Sequence, residues 1–409
     1  MKIALVTQYF WPESFVINNL VKTLVMQGHT VEVFTGKPNY PDGAVFPGYI
    51  AHGCINESFE STIPVHRVPL RPRGSGGAKN LFLNYLSFVF NGLWYFPRMF
   101  KGHSFDVIFV FTLSPITSVI PAIYLKWKLK KHLAIWVLDL WPDSLSATGF
   151  IRNKFILWMV GCLVRGIYAC ADTILVQSYA FITSVSRYAN PDKLVYYPSS
   201  HLDVGIQPLE NTSVPTELLA MLSSCFCLVF AGNLGTAQAV ETLVGAAMRL
   251  SHLPDFKLVL VGSGSMSNWL EQQKAEHGLE NLVLAGRFPP EDMPQFFQRA
   301  KGLLVSLRRA EIFAQTVPGK VQSYLAAGRP IIASLDGEGA RIVDESGAGL
   351  SCPAEDIEKL VACIERLYNL SPVERESMGH AGRAYFLEHF EMTKQSQRLI
   401  EILEARISQ

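Results

Sequence analysis

The sequence lacks three common phosphate-binding motifs. No G-x-G-x-x-G follows the first apolar run, where residues 8–15 are QYFWPESF, and no G-x-x-x-x-G-K-[ST] occurs. These absences exclude a standard dinucleotide-binding fingerprint and a P-loop enzyme. An Asp-x-Asp pair is also missing. We therefore expect no metal-held diphosphate and predict no metal site.

An excess of charge of either sign is also missing, since 36 Lys and Arg residues stand against 35 Asp and Glu. A nucleic-acid-binding protein would carry a basic excess, so nucleic acid is excluded as a partner. The seven cysteines show no metal-ligand spacing, and their odd number favours reduced thiols in a cytosolic setting. The start, MKIALVTQYFWPE, has no small-residue cleavage site, so we predict no secretory signal.

Charge is absent from one long apolar stretch, Leu81–Phe96. Two asparagines and a glycine interrupt it and a proline follows, which disfavours a membrane span. A buried helix with a solvated basic face and a monotopic patch on a membrane surface both stay open. Basic residues flank the stretch and surround Trp127: Arg71, Arg73, Lys79, Arg98, Lys101, Lys126, Lys128, Lys130 and Lys131.

Strand-like and helix-like segments alternate along the chain, which predicts an α/β fold with parallel sheets. In the first half we predict strands at 2–7, 106–111, 133–138 and 173–176. Periodicity is lost around 197–216, where Pro, Ser and Asn accumulate as in a linker, and the pattern then restarts. We therefore expect two Rossmann-like domains, residues 1–200 and 205–387, facing across a cleft.

Three strand-to-helix turns of the second half are candidates for binding an anion. They are GNLGT (232–236), GSGS (262–265) and TVPGK (316–320). Open α/β sheets bind ligands outside the carboxyl ends of their strands, so the three turns should converge on one crevice. Backbone amides at helix starts could then face the anion. The alternative at each turn is that glycine only ends a strand or forms a tight turn.

Lys320 is the unusual residue of the third turn. We predict that Thr316 caps the following helix and that Pro318 lies in its first turn. A cation there is mildly disfavoured by the helix dipole, so we expect Lys320 to face a diphosphate. Arg308 or Arg309 would add positive charge. In the alternative reading, the Lys320 side chain only extends to solvent.

Carboxylates follow two predicted strands of the first half. VLDLWPDS places Asp139 and Asp143 just past a buried strand, where a carboxylate can position or deprotonate a hydroxyl. Asp139 could instead cap the following turn. Glu13 holds the matching position after the first strand, as a carboxylate at a helix start or as a contact to an acceptor.

These motifs resemble the GT-B glycosyltransferases of family 4, in order and over nearly the full chain. The resemblance is narrower to the branch of bacterial O-antigen and capsule enzymes that transfers N-acetyl-L-fucosamine. The segments that carry it are QYFWPESFVINNLVKTLVMQGHTVEVFTGKPNYPDG, DLWPDS, AGNLGTAQAVETL and TVPGKVQSYLAAGRPIIA.

The resemblance implies a metal-independent transferase, usually retaining, that takes its sugar from a nucleotide-sugar, here UDP-linked, and needs no other cofactor. The donor would bind the C-terminal domain. The acceptor, a polyprenyl-diphosphate-linked saccharide, would bind the N-terminal domain, and the last helix, within 388–409, would cross back to it. Such an enzyme is expected in the cytoplasm, peripherally associated with the inner face of the membrane.

Carried over by position, Gly235 and Thr236 would lie at the diphosphate with Lys320, and Asp139 near the acceptor hydroxyl. In a retaining front-face mechanism the leaving diphosphate takes the acceptor proton, so stabilising its charge is the main catalytic task. The segment with Arg287 and Phe288 would contact the nucleobase largely through its backbone. The other residues assigned to the donor are Gly262, Gly264, Thr316, Val317, Pro318, Gly319 and Ser323. Glu13 and Asp143 are assigned to the acceptor side.

One departure from the family concerns the ribose. Many members have two glutamates eight residues apart, and here those positions are Gln315 and Ser323, with Glu311 out of register. A serine hydroxyl binds a ribose hydroxyl more weakly than a carboxylate does. Two other functions stay open: a non-hydrolysing sugar-nucleotide epimerase, which would not need the apolar stretch, and a degenerate subunit that binds lipid-linked sugar without catalysis.

Overall fold

The structure, a computed structural model, describes residues 1–74, 77–147, 149, 151–203 and 212–408. Part of the linker expected at 197–216 therefore lies outside the described residues. The chain divides into two compact units. The first unit is Met1–Leu202 together with Met392–Gln409, and the second is Asp203–Glu391.

The first unit is built on an eight-stranded sheet. Its elements up to the linker are β1 (Lys2–Val6), α1 (Val16–Met26), β2 (Thr30–Gly36), β3 (Ile55–Phe59), β4 (Ile63–Val68), α2 (Ala78–Met99), β5 (Val107–Thr112), α3 (Ile120–Leu129), β6 (His132–Val137), α4 (Asp143–Ala147), α5 (Lys154–Cys170), β7 (Thr173–Val176), α6 (Tyr179–Val185) and β8 (Leu194–Tyr196).

The strand order in this sheet is β3-β4-β2-β1-β5-β6-β7-β8. All pairs are parallel except β3 with β4. All six residues of β5, VIFVFT, are buried, as expected for a strand covered on both faces. The hairpin of β3 and β4 was not predicted, because INESF is mainly polar and lacks the apolar run of the other strands.

The second unit is built on a six-stranded sheet, and the last helix of the chain follows it. The elements are α7 (Thr216–Ser224), β9 (Phe226–Ala231), α8 (Val240–Arg249), β10 (Phe256–Val261), α9 (Ser267–Glu276), β11 (Leu282–Gly286), α10 (Met293–Arg299), β12 (Gly302–Ser306), α11 (Glu311–Gln315), α12 (Gly319–Ala327), β13 (Ile331–Ser334), α13 (Glu338–Glu345), β14 (Gly349–Cys352), α14 (Ile357–Asn369), α15 (Pro372–His389) and α16 (Met392–Ile407).

This second sheet is parallel throughout, in the order β11-β10-β9-β12-β13-β14. Alternate residues of β9 enter separate hydrophobic clusters: Cys227 and Val229 enter one, and Leu228 and Phe230 the other. This alternation is the two-residue period of a strand with both faces covered. The two Rossmann-like domains expected from the sequence are confirmed.

The last helix, α16, belongs to the first unit and packs against α1. The Met392 N–H donates to the carbonyl of His201 at 3.0 Å. The Tyr197 hydroxyl donates to the Gln395 carbonyl at 3.1 Å. The expected return of the C-terminal helix to the first domain is therefore confirmed.

The charge-free stretch forms most of α2, whose two sides differ. One side is buried and includes Phe88 and Phe96. The other side exposes Phe82, Phe90 and Trp94, by 59%, 65% and 62% respectively. Across the described residues, no helix has the length and apolar character needed to cross a membrane. A buried helix with a solvated basic face describes only the inner side of α2, because its outer side exposes apolar residues.

Candidate active site

In the first unit, Asp139 lies just after β6 in a turn that its carboxylate organises. Its Oδ2 accepts from the indole Nε1 of Trp141 at 3.1 Å, and that Nε1 lies 3.2 Å from Oγ of Ser114. Burial raises the pKa of Asp139 above its ordinary value, while hydrogen bonds with Ser144, Trp141 and Ser114 act against the shift. A partly buried carboxylate of this kind is available to accept a hydrogen bond from a hydroxyl.

Asp143 begins α4 and pairs with Arg187 at 3.8 Å. It therefore lies on the same loop as Asp139 but is already engaged with a cation. The plain reading of Asp139 as a turn residue also has support, since its carboxylate is bonded to Ser144, which lies within the short helix that follows. These hydrogen bonds fix the Asp139 carboxylate in the turn after β6. Its role toward an acceptor stays a prediction.

Glu13 is buried, with 2% of its surface exposed. Its Oε1 accepts from the backbone N–H groups of Asn39 and Tyr40, each at 2.8 Å, and Oε2 accepts from that of Phe10 at 3.1 Å. Helix α1 begins only at Val16, without a side-chain cap. Glu13 thus joins the loop after β1 to the loop after β2 and does not cap α1, while its contact to an acceptor stays a prediction.

Two cations near this edge were not assigned to the site. Arg73 lies over the rings of Tyr9 and Tyr40, 5.9 and 5.1 Å from their centroids, and is hydrogen-bonded to Tyr85, whose hydroxyl also contacts Ser114. Lys37 is 1% exposed, and its Nζ has no hydrogen-bond partner among the described residues. The signal for Lys37 in the sequence is its place directly after β2, a strand end that ligands of α/β sheets favour.

In the second unit the three glycine-bearing turns do meet. The backbones of these turns approach each other so closely that no side chain would fit between them. A Cβ on Gly262 would lie 1.9 Å from the carbonyl oxygen of Gly232, and a Cβ on Gly264 would lie 2.4 Å from the carbonyl oxygen of Leu234. A Cβ on Gly232 would lie 2.6 Å from Cε of Lys320. Glycine is therefore required here by close packing, as well as by the positive φ of Gly232 and Gly262.

The first of these turns does not open an α-helix as expected, and the third, TVPGK, follows α11 instead of a strand. Gly235 precedes a 3-10 turn, Thr236–Gln238, and α8 starts only at Val240. The Gly235 N–H is taken by Oε1 of Gln238 at 3.2 Å, and the Gly264 N–H by Oγ of Ser267 at 2.9 Å. Two of the amides that were expected to face an anion, those of Gly235 and Gly264, are therefore already hydrogen-bonded to nearby side chains.

Lys320 lies in the first turn of α12, and its ammonium is enclosed. Nζ is 3.6 Å from the ring centroid of Phe230 and has no hydrogen-bond partner among the described residues. Burial lowers the pKa of Lys320 to about 7. The alternative in which this side chain extends to solvent is wrong. A buried ammonium without a counter-anion is costly, and an arriving anion would remove that cost.

The cap of α12 differs from the prediction. Thr316 is not the cap: its Oγ1 donates to the Ile312 carbonyl at 3.0 Å, at the end of α11. Pro318 occupies the N-cap position, Gly319 begins the helix, and Val317 is buried beneath the turn. A hydroxyl at Thr316 is drawn back to the preceding helix because α11 ends directly before it.

Ser323 and Gln315 occupy the positions where relatives have glutamates. The Ser323 hydroxyl donates to the Gly319 carbonyl at 3.1 Å, one turn earlier in α12. Gln315 Nε2 donates to Glu311 Oε1 at 3.3 Å, within α11. Ser323 therefore keeps only its lone pairs for a ribose hydroxyl.

The two neighbouring arginines are engaged with carboxylates. Arg308 pairs with Glu241, and Arg309 pairs with Asp336 at 3.5 Å. Neither supplies unpaired positive charge in this structure, which leaves Lys320 as the cation directed at the glycine turns.

Arg287 and Phe288 follow β11, beside β10. Arg287 is exposed, whereas the Phe288 ring packs on Phe296 with centroids 5.1 Å apart. The backbone of this segment is tied to the glycine turns, since the Gly262 N–H donates to the Gly286 carbonyl at 2.7 Å. The side chain of Phe288 serves packing, so any contact of this segment with a base would come from its backbone.

Comparison with protein families gives two matches along the chain. The model described as "Glycosyl transferase 4-like domain" matches residues 14–198, and that described as "Glycosyl transferases group 1" matches residues 226–370. The matches fall in the first and second units respectively, on either side of the linker.

Curated relatives are similar at low identity. WbjE of Pseudomonas aeruginosa, provisionally named a glycosyltransferase, is 24% identical over 66% of this chain and 66% of its own length, just under two thirds. WcaI of Escherichia coli K12, provisionally named a colanic acid biosynthesis glycosyl transferase, is 22% identical over 85% and 86%. O-antigen chain mannosyltransferase C of Escherichia coli is 27% identical over 61% and 66%.

Solved structures share the fold over the whole chain. Sucrose-phosphate synthase of Thermosynechococcus elongatus has a TM-score of 0.71 at 16% identity, covering 100% of this chain and 99% of that one. Anabaena HepE in complex with UDP has a TM-score of 0.67 at 14% identity, covering 99% and 100%. With both domains matched and the fold shared, the chain belongs to the GT-B glycosyltransferases of the group 1 and 4-like families, with bacterial O-antigen and colanic acid glycosyltransferases among its relatives.

Proposed function

We propose that the protein transfers a sugar from a UDP-sugar to a polyprenyl-diphosphate-linked saccharide in O-antigen or capsule synthesis, without a metal ion and with retention of configuration. N-acetyl-L-fucosamine is the sugar to test first. The observation that carries the proposal is the Lys320 ammonium, enclosed at the meeting point of three glycine turns without a counter-anion.

A diphosphate matches this arrangement electrostatically. The site presents one buried ammonium, that of Lys320, beside the turns that follow β9 and β10, and a buried ammonium without a partner attracts an anion. Preorganised positive groups that face a leaving group lower the barrier as charge develops on it. Lys320 would thus both hold the donor and stabilise the departing nucleoside diphosphate. The absence of an Asp-x-Asp pair in the sequence supports doing so without a metal ion.

UDP is the proposed nucleotide because HepE and an Escherichia coli structure named for trehalose-6-phosphate share this fold and were solved with UDP or a UDP-sugar. Asp139 is the proposed acceptor-side residue, since it combines a raised pKa with a position after a central strand. A lipid-linked acceptor would place the enzyme on the cytoplasmic side of the membrane, at its inner face.

The test is calorimetric titration of the purified chain with UDP in EDTA. Lys320→Ala should weaken UDP about 10- to 100-fold, equivalent to the ~1.5–3 kcal/mol of a hydrogen bond to a charged group. Lys359→Ala is the matched control, because Lys359 also lies in the first turn of a helix, α14, but is exposed and pairs with Asp356. The control should bind UDP as the unaltered chain does.

Equal UDP affinity in the Lys320 variant would contradict the proposed donor site. Release of UDP from a UDP-sugar only in the presence of a lipid-linked saccharide would support transfer. Sugar epimerisation without any acceptor would instead support the epimerase, and tight binding of lipid-linked sugar without UDP release would support the binding subunit.

A further inference from the structure

Cys352 and Cys363 bring their two thiols together in the second unit. Cys352 is the last residue of β14, and Cys363 lies in α14, the helix that packs on that strand. The side chains of the two cysteines are hydrogen-bonded to each other. The Cys363 thiol also donates to the Ser351 carbonyl, with Sγ and the oxygen 3.6 Å apart. Both cysteines are free thiols, and the proposed transfer of a sugar uses neither.

The two thiols differ in acidity and in exposure. Donation of a hydrogen bond to Cys363, together with burial, raises the pKa of the Cys352 thiol. Acceptance of that bond lowers the pKa of the Cys363 thiol, with help from Arg366 and against the effect of burial. Cys352 is 5% exposed, whereas Cys363 is half-buried. The thiolate is the nucleophilic form of cysteine, so Cys363 is the sulfur suited to react first, with Cys352 beside it as the resolving thiol.

The segment that follows β14 is bonded to two neighbouring loops. The Leu335 N–H, directly after β13, donates to the Cys352 carbonyl at 3.2 Å. The Ala354 N–H donates to Oδ1 of Asp336 at 3.1 Å. Arg309, which lies just before α11, donates from Nη2 to the Ala354 carbonyl at 2.8 Å. A displacement of Cys352 would therefore move the loop after β13 and the start of α11.

The loop after β13 also packs directly on the TVPGK turn. A Cβ on Gly337 would lie 1.9 Å from the Ala314 carbonyl oxygen in α11, and a Cβ on Gly339 would lie 3.0 Å from Cδ of Pro318. Pro318 is the N-cap of α12, whose first turn carries Lys320. Close-packed atoms transmit a displacement because they have no space to absorb it. The thiol pair is thus connected to the donor turn by direct contacts within one unit.

We propose that Cys352 and Cys363 form a reversible disulfide in response to hydroperoxide, and that this bond displaces the loops after β13 and β14 and weakens donor binding at Lys320. The effect on the donor rests on the proposed function, whereas disulfide formation does not. In a reducing compartment such a disulfide forms transiently, as in proteins that sense oxidants.

The reaction balances with hydrogen peroxide as the oxidant. The Cys363 thiolate attacks one peroxide oxygen, the O–O bond breaks, and a sulfenic acid forms with release of hydroxide. The Cys352 sulfur then attacks the Cys363 sulfur, the S–S bond forms, and the sulfenic oxygen leaves as water with the Cys352 proton. The thiol pair loses two electrons and two protons, and the peroxide becomes two waters. A dithiol reductant reverses the oxidation by thiol–disulfide exchange.

Bond formation also changes the contacts of both sulfurs. The hydrogen bond between the thiols and the bond from Cys363 to the Ser351 carbonyl are both lost, because the two S–H protons are removed. The end of β14 and α14 are then held by a covalent bond in place of these weak contacts, which displaces Cys352 and the segment after it.

The first test maps the disulfides of the full chain after treatment with hydrogen peroxide. Remaining thiols are alkylated, and peptides are identified by mass spectrometry. We expect one disulfide between the peptides of Cys352 and Cys363, which dithiothreitol reverses. Cys363→Ser should abolish it, and Cys352→Ala should leave Cys363 as a sulfenic or sulfinic acid. The control Cys162→Ser changes an exposed cysteine of the first unit and should leave the disulfide unchanged.

The second test measures the donor turn in the oxidised chain. Amide hydrogen exchange within residues 309–320 should become faster, and this measurement needs no ligand. UDP affinity, measured by calorimetry, should fall about five-fold or more, as for sites coupled through packed elements. Dithiothreitol should restore both values. After the same peroxide treatment, Cys363→Ser should bind UDP as the reduced, unaltered chain does, and thermal unfolding shows whether each variant is folded.

Three results would overturn the proposal. They are a sulfinic acid at Cys363 of the unaltered chain without a disulfide, a disulfide between other cysteines that leaves Cys352 and Cys363 as thiols, and a Cys352–Cys363 disulfide that changes neither hydrogen exchange nor UDP affinity. Failure of the reduced, unaltered chain to bind UDP would count against the proposed function alone, because peptide mapping and hydrogen exchange do not depend on the donor.

Discussion

The two units build the carboxyl-end loops of their sheets with different chemistry. In the first unit, side chains hold the loops: Glu13 accepts three backbone N–H groups, and Asp139 accepts from an indole. In the second unit, bare backbone packs on backbone at Gly232, Gly262 and Gly264. Loops that approach an anion closely need glycine, whereas loops that receive a hydroxyl can be shaped by carboxylates.

The titratable groups in these carboxyl-end loops also differ between the two units. The first unit offers carboxylates whose pKa values are raised by burial, that of Glu13 to about 7. The second offers an ammonium whose pKa burial lowers to about 7. Each set of loops therefore holds a group whose charged form is disfavoured by burial. The Nζ atoms of Lys320 in the second unit and of Lys37 in the first both lack a hydrogen-bond partner among the described residues.

The largest predicted effect breaks the backbone packing of the second unit. In Gly262→Ala the new Cβ would lie 1.9 Å from the Gly232 carbonyl oxygen at a φ of +140°. We expect a loss of about 4 kcal/mol or more in the free energy of unfolding, measured in denaturant. Gly286→Ala is the control, with a φ of +82° but open space around it, and should cost about 1–2 kcal/mol. Equal losses in the two variants would show that the close approach is unimportant.

The next effect removes the Lys320 ammonium and keeps the length of the side chain. Lys320→Met should lower UDP affinity by about 10- to 100-fold and raise the unfolding free energy of the donor-free chain by about 1–3 kcal/mol, the cost of a buried unsatisfied group. Calorimetry and denaturant unfolding measure the two changes. A variant that loses stability as well as UDP binding would make Lys320 a packing residue.

In the first unit, Glu13→Gln replaces one of two acceptor oxygens with an NH2 group that faces backbone N–H donors. We expect a loss of about 1–3 kcal/mol in unfolding free energy with unchanged UDP affinity. The control Glu60→Gln breaks an exposed ion pair with Lys22 and should cost under about 1 kcal/mol. Weaker UDP binding by the Glu13 variant would contradict the assignment of donor binding to the second unit alone.

The smallest effect is a change in bound protons. Above pH 7 the free Lys320 has lost its proton, and a bound diphosphate would return its pKa toward the ordinary 10.5. UDP binding at pH 8.5 should therefore take up as much as about one proton, and affinity should fall as pH rises above 7. Calorimetry in buffers of different ionisation enthalpy measures the uptake, which Lys320→Met should abolish.

The same lysine affects stability with a defined sign. Between pH 7 and 10.5 the unfolded chain keeps the Lys320 proton and the folded chain does not. The unfolded state then binds more protons, so the unfolding free energy contributed by this group rises with pH across that window. A contribution that falls with pH would mean that the ammonium is already compensated in the folded chain.

Much of the fold followed from pattern. Strands such as Thr173–Val176 were predicted with their observed bounds, because a buried parallel strand is a short apolar run with turn residues around it. The hairpin of β3 and β4 was missed because β3, the edge strand, faces water and carries polar residues. The start of α8 was misplaced because the turn at Thr236–Gln238 has the composition of a helix start but closes as a 3-10 turn.

The candidate site was predictable as a set of turns, and its contacts were not. Glycine spacing after apolar runs was enough to select Gly232 and Gly262. Arg308 was predicted to add positive charge at the donor site. It instead pairs with Glu241, which is distant in the chain and could not be identified as its partner from the sequence. The bond from Thr316 back to Ile312 arises because one helix ends where the next begins.

The sequence alone was sufficient to predict the two α/β domains and the glycine turns, and to single out Lys320 as an unusual residue. Periodicity and turn chemistry depend on a few neighbouring residues, so they can be recognised in the sequence. Tertiary packing decided that Lys320 lies enclosed against Phe230, some 90 residues earlier in the chain, without a partner. Packing also decided that the outer side of α2 stays exposed. Burial depends on which distant elements come together, and local sequence does not encode that.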